Sequence, residues 1–305
     1  MRHAIIDLGT NTCNMLVAET DGSRYNILFQ GTEAVKLGRE SIGRNELSEG
    51  AFRRAADALQ RHRHTLDRIG GADSVVALAT SAVRDAVNRT EFIDFLLRET
   101  GFHITCISGQ EEAQLIFRGV QLAFGSISGS ALILDIGGGS HEFIHTVNNV
   151  PVWKESFPLG VARVLARFPL SDPVTPAEIS AIEDWFAAGL QPLWDGMSGK
   201  TVERLIGCSG AFDTIVDLLD DVPPRDFYPP FRKIEPADFE HIASLIISST
   251  GAQRQQMRGM LPLRIEMIVP AILFIKFIMR RLDIPYIVQT AYSMREGVLY
   301  SALHP

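Results

Sequence analysis

The feature that most constrains this chain is a motif that occurs twice. His3-Ala4-Ile5-Ile6-Asp7-Leu8-Gly9-Thr10-Asn11-Thr12 and Leu132-Ile133-Leu134-Asp135-Ile136-Gly137-Gly138-Gly139-Ser140-His141-Glu142 share one design. In each, an apolar run reaches an acid and then a turn of small and polar residues. The runs read as buried strands and the turns as tight connections. Cys13 to Glu19 and Phe143 to Val147 read as the strands that leave the turns, so each motif is a hairpin. Repetition of a whole unit carries more weight than either turn alone and predicts two related halves. Glycine lacks a Cβ, so backbone N–H groups in such a turn can approach an anion closely. The second hairpin carries acids on both shoulders, Asp135 and Glu142. It is compatible with a phosphate cradle beside a divalent metal, and equally with an ordinary glycine-rich hairpin.

A length of 305 residues favours about two domains. The best linker is Gly125-Ser126-Ile127-Ser128-Gly129-Ser130, just before the second copy of the motif. The expected domains are therefore 1–124 and 125–305. A net charge of -7 argues against a general nucleic-acid-binding surface, so an anionic ligand needs a local basic site. Cys13, Cys106 and Cys208 are odd in number and far apart, which fits a reducing cytoplasm better than a disulfide framework. Met1-Arg2-His3 runs straight into a strand, so no signal peptide is expected. The most apolar window, Leu261 to Met279, contains Arg264, Glu266, Pro270 and Lys276 and reads as a buried helix, not a membrane span.

Other candidate residues lie at strand ends. Lys36 to Arg44 is a basic, glycine-punctuated loop, either a cover over a cleft or a solvated connection. Thr80-Ser81-Ala82-Val83-Arg84-Asp85 follows a strand. Its hydroxyls and arginine suit an anion site, although such an arginine also pairs with surface acids. Ser108 and Glu111 have capping-box spacing, which gives Glu111 a structural task. Glu112 lies about 100° further round the helix. It is placed either to suit the helix dipole or to act as a general base. Gly207-Cys208-Ser209-Gly210 opens a helix and is either an anion contact or a close-packed turn. Helices are expected at Pro236–Ser249 and Pro262–Arg281. A capping pair, Ser293 and Glu296, precedes the last helix.

Taken together, these segments resemble the exopolyphosphatase/guanosine-pentaphosphate phosphohydrolase (Ppx/GppA) family. The matching stretches are Ile6 to Thr12, Ala79 to Ala86, Ile107 to Ala113, Asp135 to Glu142, Pro158-Leu159-Gly160 and Arg295 to Leu299, in the family's order. The resemblance implies an α/β fold of duplicated actin-like, sugar-kinase-like (ribonuclease H-like) domains with an interdomain cleft. It implies magnesium-dependent hydrolysis of a terminal phosphoanhydride in polyphosphate or guanosine pentaphosphate. By motif, Glu112 is the base that activates water, and Asp135 and Glu142 are the Mg2+ ligands. Asn11, Arg84 and the backbone of Gly137, Gly138, Gly139 and Ser140 are the phosphate contacts. The implied partners are polyphosphate or guanosine tetra- and pentaphosphate, with no nucleic acid and no membrane; a homodimer is compatible. An ATP-dependent phosphotransferase of the same fold and a non-catalytic alarmone or polyphosphate sensor are the competing readings. The chain departs from the family pattern at Thr10 and Thr12, which replace serines, at His141, which replaces threonine, and in the Cys208 loop. Long members carry further C-terminal helical domains, so a chain ending at Pro305 is expected to favour short chains or nucleotides.

Overall fold

The computed structural model of the chain describes residues 1–38, 42–225 and 227–304. Arg39, Glu40 and Ser41 of the basic loop lie outside the described residues. Contacts divide the chain into two units, Met1–Leu122 with Met294–Pro305, and Ala123–Ser293.

The first unit opens with β1 (Arg2–Leu8), β2 (Thr12–Asp21) and β3 (Arg24–Ala34). There follow α1 (Glu49–Arg68), β4 (Ser74–Ala79), the single turn α2 (Ser81–Arg84), α3 (Arg89–Thr100), β5 (Ile104–Cys106) and α4 (Gly109–Phe124). The sheet order is β3-β2-β1-β4-β5, antiparallel through β3, β2 and β1, and parallel through β1, β4 and β5. Ser48 starts α1 by accepting from the Ala51 N–H at 3.1 Å. The helix then buries Phe52, Ala55, Ala56, Leu59 and Leu66 at helical spacing. Gly101 ends α3 in the left-handed region.

The second unit repeats this plan. It contains β6 (Ser130–Ile136), β7 (His141–Val147), β8 (Val150–Phe157), α5 (Val161–Arg167), α6 (Pro176–Gly189), α7 (Gln191–Met197), β9 (Arg204–Cys208) and α8 (Gly210–Asp220). Then come β10 (Arg232–Ile234), α9 (Pro236–Ser248), α10 (Gly251–Gln255), α11 (Ile268–Leu282) and β11 (Ile287–Thr290). The order β8-β7-β6-β9-β11 matches the first sheet, with β10 added at the edge. The sense of pairing also matches: β6, β7 and β8 are antiparallel, while β6, β9 and β11 are parallel. The repeated hairpin motif is therefore the outward sign of a repeated sheet.

Tertiary packing moved several boundaries. The helix expected over Pro262–Arg281 is a 3-10 turn at Pro262–Arg264 followed by α11 from Ile268. Restarting there puts Pro270 in the first helical turn, where its missing N–H costs nothing. Strand β9 runs on to Cys208, so Gly207 and Cys208, expected in the helix-opening turn, are strand residues, and the bare Cα of Gly207 faces the Phe212 ring. The last helix, α12 (Met294–Leu303), packs with the first unit, although the expected second domain included it. Its Leu299 and Leu303 join Ile5, Leu16 and Ala18 in one apolar cluster. No helix among the described residues is long and apolar enough to cross a membrane.

Candidate active site

Because the two units are copies, each hairpin is an internal reference for the other. In the first, Asp7 pairs with Asn14 and Leu8 with Cys13, and the Gly9 N–H donates to the Thr12 carbonyl at 2.9 Å. In the second, Asp135 pairs with Glu142 and Ile136 with His141, and the Gly137 N–H donates to the Ser140 carbonyl at 3.0 Å. The turns are equivalent residue for residue. What differs is the cross-strand pair. Asn14 Nδ2 donates to Asp7 at 3.1 Å, so an amide satisfies the acid. At the matching position an acid, Glu142, lies opposite Asp135.

Residues directly opposite each other in an antiparallel pair share a face, and like charges there are unfavourable. Hydroxyl groups surround the pair. Glu142 is buried, and its Oε1 accepts from Ser140 Oγ and Ser156 Oγ, each at 2.7 Å. The Ser293 hydroxyl donates to Asp135. Among the described residues no group of three or more His, Cys, Asp or Glu gathers to hold a metal. Two carboxylates with oxygen neighbours do fit magnesium, which binds through one or two carboxylates and completes its shell with phosphate and water.

The glycine turn is held from behind by α5. Gly138 carbonyl accepts from the Ala162 N–H at 2.8 Å and Gly137 carbonyl from Val161 at 3.2 Å. Gly139 carbonyl accepts from the Gly160 N–H at 3.3 Å and from Arg163 Nε at 2.7 Å. Among the described residues, the hydrogen bonds of the Gly138 and Gly139 backbone run through their carbonyls. Their N–H groups remain as donors, the arrangement an anion requires.

His141 belongs elsewhere. It alternates with Glu142, so it points to the opposite face, into the core that contains Ile136, Phe143 and Phe157. Its ring lies 4.2 Å from that of Phe274 and is fully buried. Burial lowers its pKa to about 3, with the Ser140 and Leu159 backbone opposing the shift. The folded chain thus holds a neutral imidazole, whereas the unfolded chain takes up a proton below about pH 6.5. The stability contribution is complete above that pH and is lost as pH falls towards 3. At pH 5 the loss is about 2 kcal/mol relative to pH 7. Burial also depresses His62 and His145, which act in the same direction. His141→Leu is expected to flatten the decline in denaturant stability between pH 7 and pH 5; an unchanged slope would refute this account.

Arg264 was visible in the sequence only as a charge in an apolar window. Its guanidinium lies over Gly210, at the start of α8, where any Cβ would displace it. Its Nε is buried and has no hydrogen-bond partner among the described residues. Burial lowers its pKa, and the nearby Asp213, Tyr228 and Asp135 oppose the shift. A cation near Asp135 and a glycine turn is a further candidate phosphate contact.

In the first unit, Glu111 and Glu112 divide their tasks. Glu111 Oε2 accepts from the Ser108 N–H at 2.8 Å, and the Glu111 N–H donates to Ser108 Oγ at 3.2 Å, completing the capping box. The bonds to Ser108 hold the Glu111 carboxyl below its ordinary pKa. Glu112 is buried and is held by Arg84 Nη1 at 2.9 Å. The same nitrogen donates to the Ile107 carbonyl at 3.1 Å. Arg84 therefore orients the carboxylate from the end of α2. Asn11 lies in the β1–β2 turn, where its carbonyl accepts from the Val35 and Lys36 N–H groups at 2.9 and 3.0 Å. These contacts brace the turn from its own side of the sheet.

Paired α/β units with acids and small turns at matching strand ends define the class: this is the actin-like ATPase fold. The chain belongs to the Ppx/GppA phosphatase family, whose pattern matches residues 16–305. It is similar to an exopolyphosphatase from Cytophaga hutchinsonii, with a TM-score of 0.93 and 34% identity, covering 100% of this chain and 98% of that one. Exopolyphosphatase 1 of Mycobacterium tuberculosis is 27% identical over 99% of this chain and 88% of the relative. The bifunctional 3-dehydroquinate synthase/phosphatase of Fusobacterium nucleatum is 31% identical over 90% of this chain. The match spans 43% of that longer protein.

Proposed function

We propose that this protein is a magnesium-dependent phosphoanhydride hydrolase that releases terminal phosphate from inorganic polyphosphate or guanosine pentaphosphate. The observation that carries this reading is the change from an acid–amide pair in one hairpin to the acid–acid pair Asp135–Glu142 beside a glycine turn. The exopolyphosphatases among the relatives support polyphosphate as the first substrate to test.

The roles follow from chemistry. Phosphoryl transfer needs positioning and charge stabilisation more than covalent help. The Gly137–Ser140 backbone and Asn11 bind phosphate oxygens, and Arg84 adds positive charge. Glu112, oriented by Arg84, takes the proton from the attacking water. Asp135 and Glu142 would hold magnesium, which supplies charge neutralisation on the transferring phosphate when bound.

The deciding experiment is phosphate release from polyphosphates of defined length and from guanosine pentaphosphate, with magnesium and with excess chelator. Release that requires magnesium is the expected result. Release that persists in chelator would remove the metal assignment. No release from any substrate by folded protein would overturn the hydrolase reading. Transfer from ATP to an acceptor would favour a phosphotransferase.

A further inference from the structure

The duplication exposes one irregular step beside the glycine turn. In the first unit the parallel ladder between β1 and β4 runs through Asp7 with Leu78 and on to Leu8 with Ala79. In the second unit the ladder between β6 and β9 ends at Asp135 with Cys208. The next step would pair Ile136 with Ser209, and the backbone does not make it. Ser209 instead turns away with φ 78° and ψ 168°. That region is essentially reserved for glycine and costs a side-chain-bearing residue free energy.

The Ser209 hydroxyl replaces the missing ladder step. It accepts from the Ile136 N–H at 3.3 Å and donates to the Ile136 carbonyl at 3.2 Å. Ile136 lies between Asp135 and Gly137, so both bonds fix the segment where the acid pair ends and the turn begins. A glycine would fit this backbone without strain, but it would bring no hydroxyl. The strained serine keeps a function that the relaxed residue lacks.

We infer that Ser209 is a positioning residue, whose hydroxyl holds Asp135 to Gly139 in the form that accepts phosphate. The inference rests on the hydrolase reading above. Its test compares Ser209→Ala with Ser209→Gly. Both remove the hydroxyl, and only the alanine keeps the strain. Amide hydrogen exchange at Gly137, whose N–H donates to the Ser140 carbonyl across the turn, is expected to quicken about tenfold in both in protein without substrate, the scale of losing one to two hydrogen bonds. The KM for tripolyphosphate is expected to rise about tenfold and equally in both, with a smaller change in kcat. Thermal stability should separate them, the glycine variant melting higher.

Wild-type exchange at Gly137 in both variants would overturn the inference. So would a KM that follows the melting order, because a merely structural role predicts that pattern. Should the wild-type protein release no phosphate at all, the hydrolase reading fails, and exchange and melting still decide the role of Ser209.

Discussion

Glu112→Gln is expected to slow phosphate release by about a hundredfold or more, the contribution of a positioned general base, while the protein stays folded. Glutamine preserves the shape of the side chain, and its amide oxygen can still accept from Arg84. The start of α4 does not depend on Glu112, because Ser108 and Glu111 form the capping box. What the substitution removes is the capacity to take a proton. The neighbouring acid provides the control. Glu111→Ala should weaken the start of the helix and leave the chemical step intact. Steady-state phosphate release and thermal unfolding measured on both variants separate the roles. Turnover near the wild-type rate in Glu112→Gln would withdraw the base assignment.

Gly160→Ala is expected to damage both the fold and the activity. A Cβ on Gly160 would overlap the Gly138 carbonyl and crowd Gly139. The obstructing atoms are backbone, so no side chain can swing aside. Either α5 or the glycine turn must move, which weakens the bonds from Val161 and Ala162 to the Gly137 and Gly138 carbonyls. Overpacking of this kind costs about 1–3 kcal/mol. A shift of the turn by 1 Å is enough to cost about a hundredfold in rate. The measurements are the thermal midpoint and the kinetics of phosphate release. Wild-type values in both would mean that the turn does not need its close contact with α5.

Much of this site was legible because its parts are local. An apolar run ending in an acid and a glycine turn describes a hairpin within about a dozen residues. The capping pair Ser108–Glu111 was equally readable, and it left Glu112 outside the cap, either suiting the helix dipole or placed as a general base. Arg264 was not legible. Its significance comes from lying over Gly210, more than fifty positions earlier in the chain. Ser209 was noted only as part of a helix-opening turn, because its link to Ile136 crosses from β9 to β6. His141 read as an anomaly of the phosphate turn until the register turned its side chain to the core.

The sequence by itself therefore determined the repeated hairpin, the Ser108–Glu111 cap and the candidate acids, since each depends on neighbours a few residues apart. Tertiary structure decided the register that sets Asp135 directly opposite Glu142 and which face each side chain takes. It also decided that the last helix packs with the first unit. These features depend on strand register and on contacts between distant segments. A one-residue change of register would reverse every side chain on a strand, and composition alone does not fix it.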